Sequence, residues 1–152
     1  MMTVSDIEQL LSRIEPRLRQ ALVAAYGVET GQDCSADAMA WAWEHRERLI
    51  AMGNPAGYLY RVGQSSARVY HRPQGFLPRP DPGWMPDIEP GLAPALEQLT
   101  VPQRVAVLAV HSFGWSQQEV ADLLGVSHST IRTHLARGLE KLLANLEVAN
   151  AH

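Results

Sequence analysis

Proline is distributed very unevenly in this chain of 152 residues. Proline lacks a backbone N–H and fixes φ, so a dense cluster of prolines excludes helices and central strands. The cluster holds seven of the ten prolines, at positions 73, 78, 80, 82, 86, 90 and 94. Residues 73–92 are therefore predicted to form an extended, semi-stiff linker. The linker divides the chain into residues 1–72 and 93–152, each long enough for only one small domain.

The first segment has the apolar spacing of helices rather than of strands. Ser5 and Glu8 have the spacing of a capping box and predict the start of the first helix. Pro16 suits the first turn of a second helix, which is predicted to end at Gly27. The third and fourth predicted helices cover residues 33–50 and 55–71. No stretch alternates with the period of two typical of strands, so the predicted fold class is all-α.

The last segment contains the most specific local pattern in the sequence. After a short predicted helix over 94–99 and a longer one over 102–113, Ser116 and Glu119 form another potential capping box. A small residue at Ala121, the turn residue Gly125 and the β-branched Ile131 then follow at the spacing of a helix-turn-helix. We therefore predict that residues 116–142 form two helices packed at a tight turn, as in DNA-binding proteins.

The net charge of −3 does not by itself suggest a nucleic-acid-binding protein, but the charges are segregated. The predicted linker carries net charge −2, from Asp81, Asp87 and Glu89 against Arg79. Two other stretches are basic. The first, from Arg48 to Pro80, contains five arginines and no acidic residue, and the second, from Ser127 to Lys141, contains Arg132, Arg137 and Lys141. These stretches predict contacts with phosphates at two places.

The second helix of the predicted helix-turn-helix would enter the major groove. Arg132 could contact guanine with two hydrogen bonds, and the hydroxyl side chains could contact bases or phosphates. Arg137 and Lys141 lie later in the helix and suit backbone phosphates. The candidate DNA-binding residues of this helix, termed −35-type below, are His128, Ser129, Thr130, Arg132, Thr133, His134, Arg137 and Lys141.

The sequence Leu99-Thr100-Val101-Pro102-Gln103-Arg104 and the helix-turn-helix that follows resemble region 4 of RNA polymerase sigma factors. The first 72 residues resemble sigma region 2, with Gly31-Gln32-Asp33 and Asp37-Ala38-Met39 resembling its polymerase-binding helix. Asn54-Pro55-Ala56-Gly57-Tyr58 resembles the start of the helix that reads the −10 element. A chain with both regions and no region 3 is similar to the group IV (extracytoplasmic function) sigma factors.

This resemblance implies two further groups of site residues. The −10-type DNA-binding candidates are Tyr58, Arg61, Gln64, Ser65, Arg68 and Arg72. The polymerase-binding candidates are Asp33, Asp37, Trp41 and Glu44. Two positions depart from the family pattern: Ala36-Asp37 replaces Gln-Glu, and Gln64-Ser65 replaces Arg-Asn. Because Trp41 and Trp43 cannot both face inward, Trp43 is predicted to pack in the core and Trp41 to face a partner.

The resemblance implies a cytoplasmic sigma factor whose partners are promoter DNA and core RNA polymerase, with an anti-sigma factor as a family expectation. The alternative is a divergent sigma-like regulator that acts as a free-standing helix-turn-helix factor or through a protein partner. An enzyme is not expected, because no phosphate-binding loop or nucleophile elbow is present. No metal, cofactor, membrane segment or small-molecule substrate is expected, and Cys34 is interpreted as an ordinary helix residue.

Overall fold

The computed structural model describes residues 3–69 and 91–150, which fold into helices without strands. The predicted all-α class is therefore confirmed for this part of the chain. The helices of the first half are α1 (Val4–Tyr26), α2 (Val28–Glu44), α3 (Arg46–Ile50) and α4 (Pro55–Ala67). Those of the second half are α5 (Leu92–Glu97), α6 (Val101–His111), α7 (Gln117–Leu124) and α8 (His128–Asn150). No helix among these residues is both long and apolar enough to cross a membrane.

Helix α1 is one continuous helix of 23 residues, where the sequence predicted two. Its capping box is formed by Thr3 and Asp6 rather than by Ser5 and Glu8: the Asp6 N–H donates to Thr3 Oγ1 at 3.2 Å. The Thr3 backbone N–H and hydroxyl donate to Asp6 Oδ2 at 2.9 and 3.0 Å, and these two hydrogen bonds lower the pKa of the Asp6 carboxyl. Pro16 lies within the helix, exposed, while Ile14 and Leu18 on either side are buried. Burial on both sides of the proline outweighs the one hydrogen bond that it removes.

The third predicted helix, over residues 33–50, was wrong in two respects: the helix begins earlier, and it is divided into two. Helix α2 begins at Val28, directly after Gly27. The helical conformation is interrupted at His45 (φ −114°, ψ 30°), and α3 begins at the next residue. Asp33 therefore lies inside α2 and not at its beginning. A Cβ on Gly31 would lie 2.5 Å from the Val23 backbone, so α1 and α2 can approach this closely only with glycine at that position.

The boundaries of the remaining helices follow their caps. Asn54 caps α4 by accepting the Gly57 N–H at 3.1 Å, as predicted, but α4 ends at Ala67 rather than at residue 71. In the second half, Thr100 and Gln103 form the capping box of α6. Leu92, which the sequence placed at the end of the linker, is the first residue of α5.

The two halves pack against each other in a single hydrophobic cluster. Helix α1 contacts α6, and α4 contacts α7. The proposed linker lies outside the described residues except at 91 and 92, and so do its acidic residues. The boundaries 1–72, 73–92 and 93–152 stay a prediction.

Candidate nucleic-acid interface

The helix-turn-helix predicted for residues 116–142 is present as α7 and α8. Its turn is Gly125 in the left-handed conformation (φ 69°, ψ 35°), which glycine adopts without steric cost. Ser116 and Glu119 form the predicted capping box at the start of α7. Ala121 and Ile131 are both fully buried between the helices, as the pattern indicated.

Two sets of hydrogen bonds fix the start of α8 relative to α7. Ser127 caps α8, because its hydroxyl oxygen accepts the Thr130 N–H at 3.1 Å. His128 Nε2 lies 2.9 Å from Gln117 Oε1, and since an amide oxygen only accepts, the imidazole nitrogen donates. The first turn of α8 is therefore held against the first turn of α7, which orients the residues that follow.

One face of α8 is buried and the other carries the predicted −35-type residues. Ile131, Leu135 and Gly138 face the other helices. Thr130 and His134 are partly buried, and Thr133 Oγ1 also donates to the Ser129 carbonyl oxygen at 3.1 Å. The exposed members of the predicted set are His128, Ser129, Arg132, Thr133, Arg137 and Lys141. The structure thus presents three cations and two hydroxyl side chains to solvent along one helix.

The predicted −10-type residues also share a face, on α4. Arg61, Ser65 and Arg68 are exposed at helical spacing, while Leu59 and Gly63 are buried on the opposite side. Gln64 is partly buried and hydrogen-bonds the Tyr26 phenol, whose pKa is raised chiefly by burial. Arg72 lies outside the described residues.

An aromatic cluster joins α2 to α4 and reverses the prediction for the two tryptophans. Trp41 is partly buried, stacked on His45 at 4.3 Å between ring centroids, with Tyr58 at 5.0 Å. Trp43 is 42% exposed, beside the Arg46 guanidinium. The prediction that Trp43 packs in the core was wrong, because the residues of α2 buried at its centre are the small Ala38 and Ala42, and Trp43 projects beyond them.

His45 and Arg48 also belong to this cluster. His45 was not singled out from the sequence, and Arg48 was named only as the first residue of a basic stretch. The guanidinium of Arg48 lies 5.8 Å from the centroid of the Trp41 ring, within the range of a cation–π contact. The i, i+4 spacing of Trp41 and His45 was the signal that could have identified the stack. The cluster places a cation, an imidazole and two aromatic rings at the start of α4.

The polymerase-binding candidates lie along α2. Asp37 and Glu44 are exposed, while Asp33 and Trp41 are partly buried. Asp37 Oδ2 accepts a hydrogen bond from Ser66 Oγ of α4 at 2.5 Å, so this carboxylate also fixes α2 against α4. Cys34 is fully buried, and no group of potential metal ligands occurs among the described residues.

Residues 92–142, which comprise α5 to α7 and most of α8, match the family model of Sigma-70, region 4. The solved sigma factor RpoE, in complex with the anti-sigma factor NepR from Bartonella quintana, is similar over 95% of this chain and 99% of its own, with a TM-score of 0.64 and 20% identity. CnrH, solved with the cytosolic domain of CnrY, is similar over 96% of this chain and 90% of its own (TM-score 0.61, 22% identity). Among curated proteins, no sequence matches significantly.

A helix-turn-helix with an exposed cationic second helix defines the second half as a DNA-binding domain of the sigma region 4 class. The fold of the described residues is similar to that of the two solved structures. Residues 92–142 belong to the Sigma-70, region 4 family.

Proposed function

We propose that this protein is a sigma factor that binds core RNA polymerase in the cytoplasm and directs it to promoter DNA. It acts by binding and performs no covalent chemistry. The observation that carries the proposal is the exposed cationic face of α8 within a domain that matches sigma region 4.

Recognition of a −35-type element would begin at the start of α8. Arg132 is exposed there and can donate two parallel hydrogen bonds to guanine O6 and N7. Ser129 and Thr133 supply hydroxyl groups on the same face. Arg137 and Lys141 follow one and two turns later, where side chains contact phosphates and set the register of the helix without reading sequence.

The −10-type element would be bound by α4 and the aromatic cluster beside it. Arg61 and Arg68 provide positive charge along the exposed face of α4. Tyr58 and Trp41 offer ring surfaces near the same end of the helix, where an unpaired base could stack. Gln64 and Ser65 replace the Arg-Asn of the family pattern. We assign a hydrogen bond to a base to the exposed Ser65, whereas Gln64 would have to release the Tyr26 phenol to make one.

Core polymerase would bind the exposed side of α2. Asp37 and Glu44 are two turns apart on this helix, so their carboxylates provide an acidic stripe for a basic partner surface. We further propose an anti-sigma factor as a second partner, because RpoE was solved in complex with one.

The test is promoter-specific run-off transcription with purified core polymerase and the full chain, together with a pull-down on the polymerase. Arg132→Ala combined with Arg137→Ala should abolish promoter-specific product while retaining polymerase binding. Arg13→Ala, an exposed arginine of α1, is the matched control and should transcribe normally.

Absence of both polymerase binding and promoter-specific product from the unmodified chain would overturn the proposal. A protein that instead shifts a palindromic DNA site as a symmetric dimer without polymerase would establish the free-standing regulator.

A further inference from the structure

We propose that Gln117 is a specificity-determining residue of the DNA-binding domain, acting through its hydrogen bond to His128. It holds the imidazole of His128 as a hydrogen-bond acceptor, which selects adenine or cytosine over guanine or thymine on the contacted DNA strand. The inference rests on the proposed function and deepens it, because it states which bases the start of α8 reads.

The pair joins the first residues of the two helices of the helix-turn-helix. Gln117 begins α7 and is partly buried, and His128 begins α8 and is exposed. His128 Nε2 lies 2.9 Å from Gln117 Oε1. Gln117 thus reaches across the turn and fixes the orientation of a side chain at the end of α8 that enters the major groove.

This hydrogen bond determines which nitrogen of the ring carries the proton. A neutral imidazole has one N–H group and one bare nitrogen that accepts hydrogen bonds. Because the Gln117 amide oxygen can only accept, the proton lies on Nε2 of His128, and Nδ1 is left as an acceptor. Nδ1 has no hydrogen-bond partner among the described residues, so it is available to a ligand.

The other polar groups at the start of α8 differ from His128 in this respect. Hydroxyl groups both donate and accept, and those of this turn bond one another: Ser127 Oγ lies 3.1 Å from Ser129 Oγ and 2.8 Å from Thr130 Oγ1. Arg132, one turn after His128, has donors only. His128 is therefore the side chain of this turn whose role as an acceptor is fixed by a neighbour.

An acceptor in the major groove distinguishes the two strands of a base pair. Adenine N6 and cytosine N4 are amino groups that donate, whereas guanine O6 and thymine O4 are keto oxygens that accept. His128 Nδ1 therefore favours an amino base, and the donors of Arg132 favour guanine. The four-residue separation of His128 and Arg132 spans about 6 Å and one base-pair step about 3.4 Å, so the two bases should lie within about two base pairs of each other.

The test measures base preference with the full chain bound to core polymerase, at about pH 8, where an ordinary histidine is neutral. Selection from a random duplex library gives the preferred −35-type sequence, and loss of a guanine preference in Arg132→Ala identifies the pair that Arg132 reads. Competition binding then compares duplexes in which each neighbouring pair is reversed, A·T with T·A and C·G with G·C. Reversal moves the amino group to the other strand without changing the composition of the duplex.

The unmodified protein should prefer the amino base on one strand by at least about fivefold at one of these pairs. Gln117→Glu should reverse the preference, because a carboxylate accepts from Nε2 and also favours the charged ring, whose Nδ1–H then donates to a keto oxygen. Gln117→Met should reduce the preference to below about twofold, because it releases the ring. Gln118→Glu is the matched control: it adds the same charge beside the pair, and since the Gln118 side chain bonds Asp122 instead, the preference should be kept.

No amino preference in the unmodified protein, or the same preference in Gln117→Glu and Gln117→Met, would overturn the inference and leave the proposed function intact. If the unmodified chain selects no sequence, the proposed function fails instead. Nitrogen NMR of the isotopically labelled His128 ring in the free chain then tests the pair without DNA. A ring protonated on Nε2 alone, with both tautomers present in Gln117→Met, supports the fixed acceptor, whereas the same tautomer mixture in both proteins contradicts it.

Discussion

Arg104 is a buried cation whose partners are carbonyl oxygens from both halves of the chain. Its Nε donates to Ala24 O at 2.9 Å and Nη2 donates to Ala25 O, at the end of α1 where carbonyl groups lack helical partners. Nη1 donates to the Leu96 and Leu99 carbonyl oxygens at 3.2 Å. Burial lowers the pKa of the guanidinium, but arginine stays protonated at neutral pH. Arg104 thus supplies hydrogen-bond donors to carbonyl oxygens near the ends of both α1 and α5.

We predict that Arg104→Leu lowers the free energy of unfolding by about 3–5 kcal/mol, because it leaves buried carbonyl groups without donors. Urea denaturation followed by circular dichroism measures the change. Arg13→Leu, at an exposed position, should change stability by no more than about 0.5 kcal/mol. Equal effects of the two substitutions would show that the carbonyl contacts of Arg104 do not stabilise the fold.

Tyr60 presents the opposite case, a buried hydroxyl without a hydrogen-bond partner among the described residues. Burial raises the pKa of its phenol well above 10.0, and neighbouring Tyr26 adds to the shift. A raised folded-state pKa for an acid means that the stabilising contribution is present below pH 10 and is lost as the pH rises above it.

Tyr60→Phe should therefore change stability at pH 7 by less than about 1 kcal/mol, since no hydrogen bond is lost. Above pH 10 the variant should lose less stability than the unmodified protein, because it has no buried phenol to ionise. Thermal unfolding across pH 7 to about 11 checks both statements. Parallel alkaline profiles for the two proteins would show that Tyr60 does not titrate with unfolding.

Substitutions of base-contacting and of phosphate-contacting residues of α8 should differ in how they change the sequence specificity of DNA binding. Arg132→Ala is expected to weaken binding to the preferred −35 sequence by about 1–3 kcal/mol and to relax specificity, whereas Lys141→Ala should weaken binding to all DNA about equally. Fluorescence anisotropy on preferred and scrambled duplexes distinguishes the two. Equal loss on both duplexes for Arg132→Ala would exclude it from base readout.

At the scale of single elements, the helix-turn-helix was predictable because its determinants are local. Ser116, Ala121, Gly125 and Ile131 lie within sixteen positions, and each does in the structure what its spacing indicated. Helix α1 was not predictable from local signals, because buried Ile14 and Leu18 carry the helix through Pro16. The exposure of Trp43 likewise depends on which face of α2 packs against α1 and α4. The sequence of α2 alone does not determine which face this is.

The turn between α7 and α8 gives a direct test at this scale. Gly125 has φ 69°, which disfavours any residue with a Cβ, so Gly125→Ala should destabilise the protein by about 1–2 kcal/mol. Gly53→Ala is the matched control, because a Cβ at Gly53 meets no atom within 4 Å. Chemical denaturation should show the loss only for the Gly125 variant, and equal changes would remove the turn conformation as the cause.

At the scale of the whole molecule, the sequence predicts two small domains, whereas in the structure the described parts of the two halves pack against each other. The contacts between the halves join residues that are distant in the sequence, such as Asn54 with Asp122, 68 positions apart, and Gln20 with Trp115, 95 positions apart. No periodicity or motif in the sequence could pair residues this distant. The expected likeness to sigma region 4 is confirmed over residues 92–142, but the packing of the two halves against each other could only come from the structure.

This packing predicts that the free chain unfolds in one transition. The hydrophobic cluster includes Leu18 and Leu22 of α1 together with Val105 and Ala109 of α6, so separating the halves exposes apolar surface on both. A segment of about 60–70 residues is marginal alone, so loss of either half should unfold the other. Denaturation followed by far-ultraviolet circular dichroism and by the fluorescence of Trp115, with Trp41, Trp43 and Trp84 replaced by Phe, should give coincident curves. Two separated transitions would show that the halves fold independently and that their contacts add little stability.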